Sequence, residues 1–303
     1  MPKHQYKPQS RPHPGETLRE KLQEMGMGPK EFAIRTCKPE KTIIAVLNGE
    51  SSLTPDMAVA FETVTRIPAS FWMNHQSAYD EYLARAKQVS IVEASREWAK
   101  QFPLTEMIKK GWLPRRTSMH DKTLTLLAFF GIAGHTAWSK YYCEQQLKAA
   151  FGISIHAIQH AHAVSAWMRQ GELQANELVT HEFSAKALRS ALPKLKSLAK
   201  QRTNVSFDRL QALAGEAGLK IIRTPMLHHN KVIGVTRWIN GNPLIQIADV
   251  SKRNGDQWLT FFHQVGHVLL HGKKGVFLEN IEYADMDQQK ESEADDFAMD
   301  WMP

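Results

Sequence analysis

The stretch that decides the fold at the N-terminal end covers residues 29–49 and reads PKEFAIRTCKPEKTIIAVLNG. Apolar side chains recur in two short helical patterns, at 30–35 and 39–48, and Lys38-Pro39 separates them. In a helix-turn-helix, one short helix crosses the DNA backbone and the next lies in the major groove. The spacing predicts this motif, although a small helical bundle that binds no nucleic acid has the same spacing.

The second of these helices carries the candidate DNA contacts. Five positions in and just before it are predicted to face DNA: Lys38, Glu40, Lys41, Thr42 and Ala45. Lys41 suits a guanine edge or a phosphate, and Thr42 suits a phosphate or a thymine methyl group. Glu40 is less favourable near phosphate but can accept a hydrogen bond from a cytosine amine.

Further short helical patterns flank the motif and are separated by glycine and proline breakers. Together they predict a five-helix bundle over residues 13–88, preceded by a polar, flexible arm at 1–12. Four ordered motifs in this region resemble the HigA-type antitoxin family: His13-Pro14-Gly15-Glu16-Thr17-Leu18, Leu47-Asn48-Gly49, Leu53-Thr54-Pro55-Asp56-Met57-Ala58 and Phe71-Trp72-Met73-Asn74-His75-Gln76.

The resemblance implies a homodimeric repressor that binds the double-stranded operator DNA of its own operon and neutralises a cognate toxin. The recognition helix of the family corresponds by position to residues 39–48. One departure is Cys37-Lys38-Pro39-Glu40, where the family usually has a glycine followed by small polar residues. This departure leaves the operator sequence open.

Composition sets the limits on the rest of the chain. The 303 residues contain two isolated cysteines and no apolar run near the roughly 20 residues that span a bilayer, so a cytoplasmic protein without membrane contact is expected. The net charge is +7, but residues 1–85 hold 11 basic against 10 acidic side chains, a net of only +1. Charge alone therefore does not establish DNA binding.

The remaining sequence predicts two further regions. Residues 89–203 have helical patterns and many large aromatic anchors but no catalytic constellation. Residues 204–303 predict a helix, strands at 220–223, 232–238 and 244–247, and helices at 256–271 and about 288–302. The predicted fold class is mainly α, with a small α+β C-terminal domain built on a short twisted sheet.

Two histidines in this last region have the spacing of metal ligands. His263 and His267 are four residues apart and share one helix face, although two core histidines would have the same pattern. A carboxylate from the acidic helix that follows would complete a His₂Glu site for zinc. Glu293, directly before the apolar Ala294, is preferred to Glu291, and His271 is a weaker candidate.

This pairing resembles the ImmA/IrrE zinc metallopeptidase family, in which His-Glu-x-x-His is followed by a Glu-Ala-Asn/Asp-x-Phe-Ala helix. The resemblance implies a zincin-like domain with ligands His263, His267 and Glu293. Upstream motifs resemble long HigA-type antitoxins that carry this domain: Phe102-Pro103-Leu104, Lys109-Lys110-Gly111-Trp112, Phe129-Phe130-Gly131, Ala166-Trp167-Met168-Arg169-Gln170-Gly171-Glu172 and Thr260-Phe261-Phe262. The family also continues with helices beyond the position of Pro303, which suggests a truncated or short member.

The catalytic glutamate of that family falls at Gln264. A carboxamide cannot take the proton of a zinc-bound water, and loss of a general base commonly costs about 10²–10⁴-fold in rate. Gln264 is either natural or engineered.

The sequence therefore predicts an antitoxin and repressor with an inactive zinc-binding domain. One alternative is a site-specific zinc endopeptidase that cleaves a repressor or toxin, captured as a Glu-to-Gln variant. Another is a metal-free histidine pair in the core.

Overall fold

A computed structural model describes residues 11–146, 160–201, 207–249, 254–274, 277–279 and 287–303. The chain divides into two compact units, the first ending at Ile91 and the second beginning at Val92. Residues 1–10 of the predicted arm lie outside the described residues. The predicted boundary between residues 203 and 204 stays a prediction, because the second unit is not divided further.

The first unit is a bundle of short helices. In chain order they are α1 (Pro14–Glu24), α2 (Pro29–Arg35), α3 (Glu40–Leu47), α4 (Pro55–Thr65) and α5 (Ala69–Ala94), of which α5 continues into the second unit. Proline stands at the first position of α1, α2 and α4, where its missing N–H costs no hydrogen bond. Each of α1 and α4 also has a side-chain cap. The His13 Nδ1 accepts a hydrogen bond from the backbone N–H of Gly15, and the Thr54 hydroxyl accepts one from the backbone N–H of Met57.

Aromatic and aliphatic side chains fill the centre of this bundle. Its fully buried members include Leu18, Phe32, Ile43, Val46, Phe61 and Trp72. Gly15 fixes the approach of α1 to α3, because a Cβ at this position would lie 1.9 Å from the carbonyl oxygen of Val46. The core thus holds one side of α3 inward and leaves its other side at the surface.

Helices also make up most of the second unit. Those before the sheet are α6 (Arg96–Lys100), α7 (Leu104–Lys109), α8 (Met119–Phe130), α9 (His135–Trp138), α10 (Ala161–Glu177), α11 (Ala185–Lys200) and α12 (Phe207–Gly215). A π-helical segment, Ser139–Gln146, follows α9. After the first three strands come α13 (Asn254–Gly266), the π-helical turn His267–His271, the short 3₁₀ turn Gly272–Lys274 and α14 (Gln288–Trp301).

A four-stranded mixed sheet forms the centre of this unit. The strands are β1 (Lys220–Pro225), β2 (Gly234–Ile239), β3 (Asn242–Asp249) and β4 (Phe277–Glu279), in the spatial order β1-β3-β2-β4. β1 runs parallel to β3, whereas β2 runs antiparallel to both β3 and β4. Asn240 and Gly241, both with positive φ, form the two-residue turn that joins β2 to β3.

The sheet is buried on both faces. One hydrophobic cluster joins Val235 and Leu278 of the sheet to aromatic side chains that include Trp98, Phe102, Phe130, Trp138 and Trp167. The other joins Ile221, Ile245 and Ile247 to Leu188 and Leu195 of α11, Phe261, Phe262 and Val265 of α13, and Ala298 of α14. α13 and α14 are therefore packed against the sheet, which fixes the position of the histidines.

The mainly helical fold class with a small mixed C-terminal sheet is confirmed. The three predicted strands are present within a few residues of their predicted bounds, but β4 was missed because three residues carry too little pattern. The helix predicted for 256–271 ends as an α-helix at Gly266, since the backbone widens into the π-helical turn. None of the described helices is long and apolar enough to cross a bilayer.

Candidate nucleic-acid interface and metal centre

The surface side of α3 is the candidate nucleic-acid interface. Glu40 and Lys41 are exposed on it, as predicted, and Thr42 and Ala45 are half-buried. Lys38, just before α3, forms an ion pair with Asp56 at the start of α4. Because its ammonium group is paired with Asp56, Lys38 attracts a DNA phosphate less strongly than an unpaired lysine would.

Ile44 also lies on this surface and was missed by the sequence analysis. Its side chain is 41% exposed, whereas the neighbouring Ile43 is fully buried. Ile44 is three positions after Lys41, so the two side chains share a helix face. Because Ile44 is apolar, the sequence pattern does not distinguish it from core residues. The rotation of α3 in the bundle makes its side chain face outward.

The candidate metal centre joins the end of α13 to α14. The Nε2 atoms of His263 and His267 lie 3.0 Å apart. The Glu291 Oε2 lies 3.3 Å from Nε2 of His263 and 3.6 Å from Nε2 of His267. One ligand atom from each residue lies within 4.8 Å of the others, and both histidines are buried. The three residues have the ligand types of a His₂Glu zinc site with an open position.

The choice of Glu293 as third ligand is corrected by this geometry. Glu293 accepts a hydrogen bond from Nε2 of His271 at 3.0 Å, whereas Glu291 reaches both predicted histidine ligands. The reason is the rotation of α14, which buries Ala294 and Ala298 against α13. Glu291 lies three positions before Ala294 and shares its helix face. Glu293 lies about 200° from Glu291 around the axis of α14 and therefore on the opposite side of the helix.

Close packing of the two helices depends on Gly266. A Cβ at Gly266 would lie 3.2 Å from the Cα of Ala294 and 3.3 Å from the Cβ of Phe297. A larger residue would push α14 outward, and with it the Glu291 carboxylate. Gly266 therefore helps to set the distance between the carboxylate and the two imidazoles.

A second layer of groups orients the two histidines. Nδ1 of His263 is 2.8 Å from Oδ1 of Asp295, and Nδ1 of His267 is 3.0 Å from Nδ1 of His271. Histidine ligands commonly donate their second N–H to such a partner, which fixes the ring and leaves the other nitrogen for the metal. Glu293 contributes at this level, through its hydrogen bond with His271.

Glu291 and His267 are in the ionisation states that bind a cation. Burial raises the pKa of Glu291, but hydrogen bonds from His263 and His267 outweigh it and bring the pKa to about 2. Burial lowers the pKa of His267 to about 4, so this ring is neutral at pH 7. At His263 the effect of burial is outweighed by the hydrogen bond and charge of Glu291 and by the charges of Glu279 and Asp295, which raise the pKa of this ring. The Glu291 Oε1 is buried with no hydrogen-bond partner among the described residues. The ionised Glu291 carboxylate with its unpaired oxygen and the neutral His267 ring fit Zn²⁺, and binding of the ion would release the proton that His263 holds.

Gln264 is fully buried and belongs to a separate hydrogen-bond network. Its Oε1 accepts from the Thr236 hydroxyl at 2.6 Å, and its Nε2 donates to Oε2 of Glu279 at 3.4 Å. The Thr260 hydroxyl donates to the other oxygen of Glu279 at 2.9 Å. The side-chain amide thus meets one donor and one acceptor, a combination that a carboxylate cannot satisfy without a proton.

Glu279 was not found from the sequence. It lies at the end of β4, and the residues around it gave no motif. Gly234 on the neighbouring strand makes room for it, because a Cβ there would lie 2.7 Å from the Glu279 Oε2. Burial raises the pKa of Glu279. A half-buried acid therefore lies directly beside the side chain of Gln264.

The N-terminal bundle, with α3 presented at its surface after α2, defines a helix-turn-helix protein. Comparison with known proteins agrees. The uncharacterised HTH-type transcriptional regulator YddM of Escherichia coli strain K12 is 33% identical over 85 residues, which are 28% of this chain and 86% of YddM. No family model matches the chain. Through its N-terminal part, the chain belongs to the HTH-type transcriptional regulators.

Solved structures similar to the chain cover the same small share of it. An addiction module antidote protein of the HigA family from Coxiella burnetii is 34% identical, with a TM-score of 0.27, over 28% of this chain and 95% of that protein. The antitoxin HigA of Pseudomonas aeruginosa, solved with the higBA promoter, is 32% identical, with a TM-score of 0.25, over 26% of this chain and 86% of that protein.

Proposed function

We propose that this chain is an autoregulatory transcriptional repressor and the antitoxin of a toxin–antitoxin pair. It binds double-stranded operator DNA as a homodimer through α2 and α3, and it neutralises a cognate toxin by direct contact. The observation that carries the DNA-binding half is the outward face of α3, which presents Lys41 and Ile44 while the other side of the helix is held in the core. The motifs shared with HigA-type antitoxins support the toxin-binding half.

The zinc-site region acts in this proposal as a sensor or a scaffold for the toxin. His263, His267 and Glu291 would hold Zn²⁺, which supplies Lewis-acid chemistry when bound. Asp295 and His271 orient the imidazoles, and burial keeps bulk water away from the ligands. Gln264 cannot hold the proton that peptide hydrolysis requires, so binding is favoured over turnover.

Replacing Lys41 with alanine should weaken operator binding. Lys41 is exposed on α3, and each phosphate contact contributes a salt-dependent share of the affinity. We expect the affinity for the upstream region of the gene to fall by about 10-fold, with a shallower dependence on salt. A gel shift over a series of salt concentrations measures both. Lys186→Ala, which removes an exposed lysine of the second unit, is the matched control and should bind like wild type.

The same assay tests the proposal as a whole. If wild-type protein gives no salt-sensitive, sequence-preferring shift, the repressor assignment is wrong. If Lys41→Ala and Lys186→Ala bind equally well, the interface lies elsewhere on the bundle.

We expect the Ile44 side chain to contact the methyl group of a thymine in the operator. Apolar side chains in the major groove contact the thymine methyl group, which deoxyuridine lacks. Replacing one operator thymine at a time with deoxyuridine should identify a position where wild-type binding weakens by about 3- to 10-fold. Ile44→Ala should be insensitive to the same replacement. Equal sensitivity of both proteins at every thymine would contradict this role for Ile44.

A site-specific zinc endopeptidase is the second candidate function. The observation that favours it is the His₂Glu set, in which both histidines are buried and are oriented by Asp295 and His271. This candidate requires Gln264 to stand where the active protein has glutamate. Cleavage of the neighbouring gene product by a Gln264→Glu variant with zinc would support it. An inert Gln264→Glu variant that still folds and binds zinc would remove most of that support.

A further inference from the structure

Three imidazoles meet at the surface of the second unit, apart from the zinc centre. His160 directly precedes α10, and His228 and His229 lie between β1 and β2. The rings of His160 and His229 are stacked with their centroids 4.5 Å apart, and the centroids of His228 and His229 are 4.0 Å apart. All three residues are exposed, so their convergence is not explained by burial of apolar surface.

The backbone that presents these rings is fixed in an unfavourable conformation. His160 and His229 have φ values of 64° and 66°, in the left-handed region that histidine seldom adopts. Buried Asn230 holds the turn, because its Oδ1 accepts from the N–H of Val232 and its own N–H donates to the carbonyl of Leu227. The N–H of His228 donates to Glu106 at 2.8 Å. Such strain persists where surrounding contacts enforce it, often at a binding site.

A cavity of about 240 Å³ opens beside the three rings and is also lined by Phe102 and His162. The ring of His162 is stacked on Trp138 at 4.7 Å and forms part of the wall. Desolvation and the neighbouring His228 and His160 lower the pKa of His229, which favours its neutral form. Neutral imidazole is the form that binds metal ions.

We propose that His160, His228 and His229 bind one divalent first-row transition-metal ion, in a second site that shares no residue with the zinc centre. Imidazole is a preferred ligand of zinc, copper and nickel ions. The rings of His160 and His229 are stacked, and the ring of His228 is tilted by 59° to that of His229. Ligation therefore needs rotation about the side-chain bonds, which the exposure of the three residues permits. The cavity leaves room for water molecules to complete the coordination. This site goes beyond the proposed function and does not depend on it.

Zinc titration of the whole chain tests the proposal. In a His263→Ala/His267→Ala background, which removes the first centre, isothermal titration calorimetry with Zn²⁺ alone should still detect one equivalent. Adding His160→Asn or His229→Asn should weaken this binding at least about 10-fold. Asparagine is chosen because it tolerates positive φ but lacks the imidazole. His181→Asn, at an exposed histidine elsewhere in the unit, is the control and should leave binding unchanged.

Two outcomes would overturn the second site. One is a background chain that binds no zinc, and the other is equal binding by the His160, His229 and His181 variants. If the background chain does not fold, the same count is made in the chain with His263 and His267 intact. There, His160→Asn/His229→Asn should lower the total bound zinc by one equivalent, and an unchanged total would contradict the proposal.

Discussion

Glu291→Ala should lower the zinc affinity of the chain by more than about 100-fold, whereas Glu293→Ala should lower it by about 10-fold or less. The Glu291 carboxylate lies within 3.6 Å of Nε2 of both His263 and His267. Glu293 reaches the centre only through its hydrogen bond with His271. Removing a ligand takes away a bond to the metal, while removing an orienting group only loosens a ring.

The comparison is made by competition with a zinc-binding dye and by measuring metal content after purification. Asp296→Ala is the matched control, since Asp296 is an exposed carboxylate on the same helix. It should retain wild-type affinity. Thermal unfolding in the presence of chelator separates loss of zinc from loss of fold.

Each of the other results has a definite meaning. If Glu293→Ala loses zinc and Glu291→Ala keeps it, the ligand assigned from the geometry is wrong. If wild-type chain carries less than a small fraction of an equivalent and His263→Ala changes nothing, the two histidines are a metal-free core pair.

Gln264→Glu should destabilise the chain by about 1–3 kcal/mol. The amide now donates to Glu279 and accepts from Thr236. A glutamate at 264 would place a fully buried carboxylate beside the half-buried Glu279, whose pKa is already raised by desolvation. The two acids cannot both ionise at this distance without repulsion, and one must keep a proton.

The pH dependence of this loss has a definite sign. When the pKa of a carboxyl group is higher in the folded chain than in the unfolded chain, the folded chain holds more protons at pH values between the two pKa values. Stability is then present at low pH and is lost as pH rises through the folded pKa. The Gln264→Glu variant should therefore lose more stability at about pH 8 than at about pH 5. Urea unfolding at both pH values, with chelator present, measures the difference.

A swapped pair provides the control. In Gln264→Glu/Glu279→Gln, the new amide at 279 can donate to the new carboxylate at 264 and still accept from Thr260. The double variant should recover most of the stability that Gln264→Glu loses. If Gln264→Glu is as stable as wild type at both pH values, the buried network does not constrain position 264. In that case the peptidase hypothesis gains support.

The bundle was predicted well because its signals are local. Prolines at the starts of α1, α2 and α4, and apolar side chains at helical spacing, depend only on a few neighbouring residues. The helix bounds at 29–35 and 40–47 agree closely with the sequence pattern. Likewise, the spacing of His263 and His267 places them on one side of the chain in any helical backbone.

The missed features all depend on contacts between distant segments. Whether Glu291 or Glu293 reaches the histidines is set by how α14 rotates when Ala294 packs near Gly266. Glu279 enters the network of Gln264 only because the short strand β4 pairs with β2. No pattern within either segment carries this information.

The sequence by itself determined the short helices of the N-terminal bundle, the mainly helical fold and the position of two histidines four residues apart. Each of these follows from periodicity and turn chemistry along a single stretch of chain. The tertiary structure alone decided that Ile44 faces outward, that the Glu291 carboxylate lies beside both histidines and that Gln264 is hydrogen-bonded to Glu279. These depend on the burial of one face of a helix or strand against another, which fixes rotation and register to within one side chain.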